Sequence, residues 1–272
     1  MDDINNRIND NGPEVEENKD IDILELESIV LPMIPLRGLS VFPNMVLHFD
    51  IGREKSINAL EKAMITNQHI FLTSQKDENT DLPTPDDFYH IGTIGKIKQM
   101  LKLPGDSIRV LVEGVCRGRV EEIISEVPFF KCLIDPLKDK EQGKEDPEVE
   151  ALMRTALSNF DEYININQNL APEIFASVVS IEEPGRMADM IGSHLEIKLE
   201  DKQMLLETLD AKERLRKLNS ILTKEIEILN IEHDISSKVK SQINQNQREY
   251  YLREQMRAIQ DELGVGEDIE NE

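Results

Sequence analysis

The sequence predicts an α+β chain: an N-terminal β-barrel or sandwich holding one helix, then an α-helical bundle that continues into a very long C-terminal helix. Three observations carry this. Short apolar runs bounded by proline and glycine fill residues 29–137. Apolar positions then recur at helical spacing from Val149 onward. Residues 203–263, a span of 61, contain neither proline nor glycine.

The strand-like runs are IVLPMI, VLHFDI, HIFLTS, IGTIGKI, SIRVLVEGV, RVEEII and FFKCLI, seven in all. A helix over residues 53–66 interrupts them, with Ile57, Leu60, Met64 and Ile65 near 3.6 spacing, and is expected to plug one end of the barrel. Pro32, Pro35 and Pro43 break the first run, and proline cannot donate to a ladder, so that run reads as an edge strand entering a loop. Pro104, Gly105 and Asp106 read as a hairpin turn.

Composition shifts to KDKEQGKEDPEVE after Leu137, which marks a boundary. Pro147 suits the first turn of a helix carrying Val149, Leu152, Met153, Ala156, Leu157 and Phe160. A second helix spans residues 169–183 and stops at Pro184 and Gly185; a third runs from Arg186 to His194, and a fourth begins at Glu200. The uninterrupted span would reach about 90 Å as one helix. Its seam begins as Ala211, Leu215, Leu218, Leu222 and Leu229, then changes face to Ile228, Ile231, Ile235, Val239 and Ile243. The expected organisation is an acidic disordered tail (1–27), a β-rich subdomain (28–137), a linker (138–147), a helical subdomain (148–202), a helical arm (203–264) and an acidic end (265–272).

The net charge of −23 opposes a phosphate backbone and makes nucleic acid an unlikely partner. Ten acids against Arg7 and Lys19 give residues 1–27 a charge of −8, the mark of a solvated tail. With 4% aromatic residues and no tryptophan, the core must be aliphatic. No basic and apolar leader opens the chain and no run of about 18 apolar residues occurs, so a cytoplasmic location without membrane contact is expected. Cys116 and Cys132 lack a CxxC partner and read as buried free thiols on strands. The five histidines are scattered singly, and no phosphate loop is present, so neither metal, cofactor nor catalytic residue is assigned to this stretch.

Two segments more than 200 residues apart carry a resemblance: LPMIPLRGLSVFPN at residues 31–44 and QREYYLREQMRAIQDELG at residues 247–264. Together, in this order, they resemble the N-terminal region of ATP-dependent proteases of the Lon family. The resemblance implies a PUA-like β-domain that handles substrate, and a long helix leading to an ATPase and a Ser-Lys protease that lie beyond these residues. It implies that the parent is an ATP-dependent serine endopeptidase using ATP and Mg2+ and assembling as a homohexamer, with a dimer conceivable for this stretch. Its partners would be unfolded, damaged or short-lived regulatory proteins.

Beside that implication stand candidate residues. Met33, Pro35, Leu36, Phe42, Pro43 and Met45 crowd into one irregular apolar segment, which reads either as simple core or as a partly exposed patch that docks apolar stretches of substrate. Arg37 is expected to brace that loop. Ile235, Val239, Ile243, Tyr250, Tyr251, Arg253 and Met256 lie on the arm and are expected to make inter-domain or inter-subunit contacts. Two other readings are a PUA-like nucleic-acid module, which the acidic balance disfavours, and a coiled-coil scaffold, which leaves the β-domain without a role.

Overall fold

Val, Ile, Leu and Phe in short alternating runs fold as six strands around one helix: β1 (Ile29–Leu36), β2 (Val46–Ile51), α1 (Glu54–Ile65), β3 (His69–Ser74), β4 (Ile91–Lys102), β5 (Ile108–Ser125) and β6 (Phe130–Leu137). The fold comes from a computed structural model and is described for residues 23–105, 107–140, 146–167 and 170–262. The expected acidic tail (1–22 of it), half of the linker (141–145), the hairpin residue Asp106, the expected helix start at Asn169 and the end of the chain from residue 263 lie outside these.

The sheet order is β2-β5-β4-β3-β1-β6, and β5 also pairs with β6. Five strands therefore close on themselves, while β2 hangs on the first half of β5. β1 is not the plain edge strand expected from its prolines. It pairs antiparallel with β6 over residues 29–33 and parallel with β3 over residues 33–36, so each half keeps one free side. A proline is tolerated where its missing N–H faces that side.

Two expected strands, SIRVLVEGV and RVEEII, are one: β5 runs unbroken through Gly114 and Gly118. Gly114 acts here as a site of close approach and not as a breaker, because a Cβ there would lie 2.2 Å from the Phe42 carbonyl oxygen. A register shift against β4 at Val115, where Ile94 pairs with Cys116 and Gly95 with Gly114, lies between the length of β5 that serves β2 and the length that serves β6. The hairpin before it closes with Gly105 at φ +86° and the Leu103 N–H donating to the Ser107 carbonyl at 2.9 Å.

The helix α1 lays Ala59, Leu60 and Ala63 against Ile34, Val110 and Val112, filling one end of the barrel. The opposite end is filled by Leu31, Met33, Phe71, Phe88, Phe130 and Ile134. Cys116 and Cys132 both lie here on strands, buried and free. Burial pushes the Cys132 thiol up to about 12.

Helices α2 (Pro147–Ile166), α3 (Glu173–Val179), α4 (Pro184–His194), α5 (Leu199–Glu207) and α6 (Ala211–Glu262) follow. Pro147 occupies the first turn of α2, and Asp146 caps it by accepting from the Glu148 N–H. Pro184 and Gly185 open α4 where a stop was expected, since proline is equally at home in a first turn.

The long span is likewise divided. Residues 203–207 belong to α5, residues 208–210 break the helix, and Asp210 starts α6 by accepting from the Glu213 N–H at 2.9 Å. A cap ended one helix and began the next without proline or glycine. The first part of α6 is core and not arm: Leu215, Leu218 and Leu222 are fully buried with Phe160, Tyr163 and Ile191. The helix leaves the body only after Leu229, and residues 230–262 project for about 50 Å.

Candidate functional site: a split barrel and its clamp

Because β1 ends against β3 alone and β2 pairs with β5 alone, the barrel is open between residues 34–36 and β2. A cleft of about 410 Å³ occupies this seam, lined by Ile34, Pro35 and Leu36 on one side and Phe49, Asp50 and Ile51 on the other. A second cleft of about 220 Å³ adjoins it and shares Pro35, Arg53, Ser56 and Asp81. Leu36, Leu39, Phe49 and Ile51 give the larger cleft an apolar wall.

The polar rim belongs to two arginines. Arg37 donates to Asp81 at 2.5 Å and holds the loop over the seam, the bracing role expected of it. Arg53 caps the start of α1; its Nη2 donates to the Gln75 amide oxygen at 2.8 Å. Its Nη1 is buried with no acceptor among the described residues. Burial, and then the neighbouring Arg37 charge, hold the Arg53 pKa below its ordinary value.

Of the two readings of the six-residue segment, core and exposed patch, burial accounts for most of it. Met33, Pro35, Leu36 and Phe42 are buried, while Pro43 and Met45 are half-buried. Pro35 and Leu36 are nevertheless in the wall of the seam cleft, and Met33 and Pro35 line its smaller neighbour. Phe42 points away from both. It is fully buried in the helical core beside Ile191 and Leu205, with Met45 packed on the same cluster. Pro43 lines a separate cleft of about 530 Å³ between β5 and α4. The loop from β1 to β2 lies against the helical bundle, so its apolar residues are divided among the cores on either side of it, and adjacency in sequence does not give a common surface.

Phe42 is one part of a clamp that the sequence did not announce. Arg117 on β5 makes a forked pair with Asp189 on α4, at 2.9 Å and 2.6 Å, and its Nε donates to the Leu206 carbonyl at the end of α5. Arg214 on α6 donates to Asp139 at 2.7 and 3.0 Å, to Asp189 at 3.2 Å, and to the carbonyls of Thr208 and Gly185. The side chains of Arg117, Asp189 and Arg214 are 2, 3 and 0% exposed, so two cations and one anion are desolvated, and Asp139, 37% exposed, completes the network from its edge. Burial opposes the Arg214 charge, but Asp189 and Asp139 outweigh it and raise its pKa. Gly185 permits the approach, since a Cβ there would lie 2.9 Å from Asp139 Oδ2. Gln203 adds a bond from α5 to the Ile91 carbonyl of β4.

The one signal available beforehand was Asp189, an acid set between Ala188 and Met190 on the inward face of a helix. Partners as far apart as residues 117, 139, 189 and 214 give no local pattern.

The arm residues Ile235, Val239, Ile243, Tyr250, Tyr251 and Met256 are between 50 and 68% exposed, and Arg253 is exposed beside them. The structure brings none of these near the seam. Among the described residues there is no cluster of three or more His, Cys, Asp or Glu that could hold a metal, and no helix long and apolar enough to cross a membrane.

The geometry defines a class of protein: a split β-barrel locked by a buried ion network to a helical bundle that carries a projecting helix. Residues 30–224 match the model of the ATP-dependent protease La (Lon) substrate-binding domain, and the chain belongs to that family. It is 50% identical to the Lon protease of Clostridioides difficile over 245 residues, covering 89% of this chain and 31% of that protein. With Lon protease 1 of Bacillus subtilis it shares 50% identity over 234 residues, 86% of this chain and 30% of the relative. The chain thus spans about a third of the length of the curated relatives it matches. Among solved structures, the N-terminal domain of the Mycobacterium avium complex Lon protease aligns with a TM-score of 0.59 at 21% identity, covering 72% of this chain and 98% of that one. That likeness concerns the fold.

Proposed function

We propose that this chain is the substrate-recognition and assembly module of an ATP-dependent Lon-type serine protease. It takes up exposed apolar segments of unfolded or damaged proteins and presents them to an unfoldase and a Ser-Lys protease located in the rest of the parent protein. ATP and Mg2+ serve those other parts, and the residues described here take no part in the chemistry. The β-domain is read as PUA-like, with the apolar seam in place of a nucleic-acid face, and the location as cytoplasmic.

The observation that carries the reading is the seam cleft with its apolar wall, in a chain whose family is that of the Lon substrate-binding domain. A cleft with an apolar wall, whose rim charges Arg37, Asp81 and Asp50 are already paired, suits many sequences at low affinity. Several copies held together would raise the effective concentration enough to retain a chain, and the exposed face of α6 supports self-association as the means, a homohexamer in the parent.

The test is fluorescence anisotropy of a labelled, permanently unfolded polypeptide titrated with this chain, beside its folded counterpart, at two salt concentrations. Selective, salt-resistant binding of the unfolded form is expected, together with weaker binding by Leu39→Asp, which places a charge in the cleft wall. Equal binding of both forms, or none, refutes capture at this module.

A further inference from the structure

The seam is a gap between two strands as well as an apolar cleft. A closed barrel leaves no unpaired edge, and an open one presents a row of N–H and C=O groups that favour another strand. Here the closure is incomplete at one place. Among the described residues, 34–36 of β1 pair with β3 alone, and all six residues of β2 pair with β5 alone. The cleft lined by both strands lies between them.

The chain does not close this gap on itself. Pro35 stands in the half of β1 that borders the seam, where it removes a donor, and α1 enters beside β2 through Gly52 and Arg53. The side chains of β2 alternate, with Val46, His48 and Asp50 exposed and Leu47, Phe49 and Ile51 turned inward. The Asp50 charge is already matched by a forked bond from Arg109 at 2.7 and 2.8 Å. An occupant is therefore selected by backbone bonding and alternate apolar side chains, with little demand on its charge. Arg53 beside the seam carries a buried N–H with no acceptor, a donor that a guest carbonyl can meet.

Resting on the capture reading above, we propose that substrate enters this seam as an extended strand added to the free edge of β2, completing the barrel. The ladder supplies sequence-independent affinity, and the Leu36, Leu39 and Phe49 wall accepts every second side chain. Recognition by backbone also explains how one short cleft could serve unrelated unfolded chains and ignore folded ones, whose backbone groups are already paired.

The test follows amide hydrogen exchange of residues 46–51 in the full chain, with and without a reduced and carboxymethylated polypeptide whose binding is tracked by anisotropy in the same samples. Strand addition requires the β2 amides that face away from β5 to slow by about ten-fold or more at saturation. Binding without that protection overturns strand addition and leaves capture intact; absence of binding overturns both. A second probe is a seven-residue peptide alternating isoleucine and threonine. N-methylation of the amides in one register should weaken it about ten-fold or more, while methylation in the other register should not. Equal affinity of all three peptides refutes the ladder, because their side chains are the same.

Discussion

The two parts of α6 form one helix with two different fates. In residues 211–226 the apolar seam is buried, with Leu215, Leu218 and Leu222 fully enclosed by α2 and α4. In residues 231–259 a seam of similar apolar content is half exposed or more. Polar contacts divide in the same way. The first part reaches across to α2, with Lys212 bonded to Asp146 and Glu148, Arg216 to Glu148, and Asn219 to the Leu152 carbonyl. In the second part the side-chain bonds stay within the helix, as Gln242 to Asn246 and Gln255 to Tyr251. Periodicity therefore reports that a face wants a partner. It does not say whether the partner is in the same chain.

The contrast is tested most severely at the clamp that fixes the first part of α6. Asp189→Ala leaves Arg117 with the Leu206 carbonyl and a 3.4 Å contact to Asp139, reduces Arg214 to one acid, and should cost about 3–5 kcal/mol in chemical denaturation. A cost below about 1 kcal/mol would show that water replaces the acid and that the clamp does not join the domains. Next come matched truncations of the two seams. Leu218→Ala should cost about 2–5 kcal/mol through the cavity it leaves, and Ile235→Ala should fall within about 0.5 kcal/mol in dilute protein. If Ile235→Ala becomes costly as concentration rises, the second seam is buried between copies, and sedimentation of the same samples should show the loss of association.

The sequence made the elements legible wherever a local pattern produced them. Val149, Ala156 and Phe160 at helical spacing behind Pro147 gave α2, and alternating runs gave the strands. The change of face near Ile228 falls where the helix leaves the body, so that shift coincides with the end of its packing against α2 and α4. What was not legible depended on distance. The apolar segment from Met33 to Met45 divides between seam, barrel core and helical core because the loop from β1 to β2 packs against the helical bundle as well as the barrel. The Arg117, Asp139, Asp189 and Arg214 network joins residues far apart in sequence, of which Asp189 alone carried a local signal, as an acid on the inward face of α4. The break at residues 208–210 did leave a trace, since Asp210 and Glu213 have the acid-x-x-acid spacing of a helix start.

The smallest expected effect lies at the surface edge of the packed part of α6. Bonds from Lys212 hold the carboxyls of both Asp146 and Glu148 below the usual carboxylate range. Their folded values lie below their unfolded ones, so their contribution to stability is complete above the ordinary carboxylate pKa and is lost as pH falls through the lowered values. The Lys212 pKa is raised by the same Asp146 bond, so its share is complete below the ordinary lysine value and disappears as pH rises through the raised one. The signature is a slight loss of stability on both flanks of a flat neutral range. Lys212→Met should remove both flanks' dependence on this pair while leaving the neutral value nearly unchanged, because exposed ion pairs contribute little. Denaturation midpoints across pH decide it. A pH profile identical to that of the unmodified protein would show that the ion pairs do not help to hold α6 against α2, leaving the buried leucines to account for the packing.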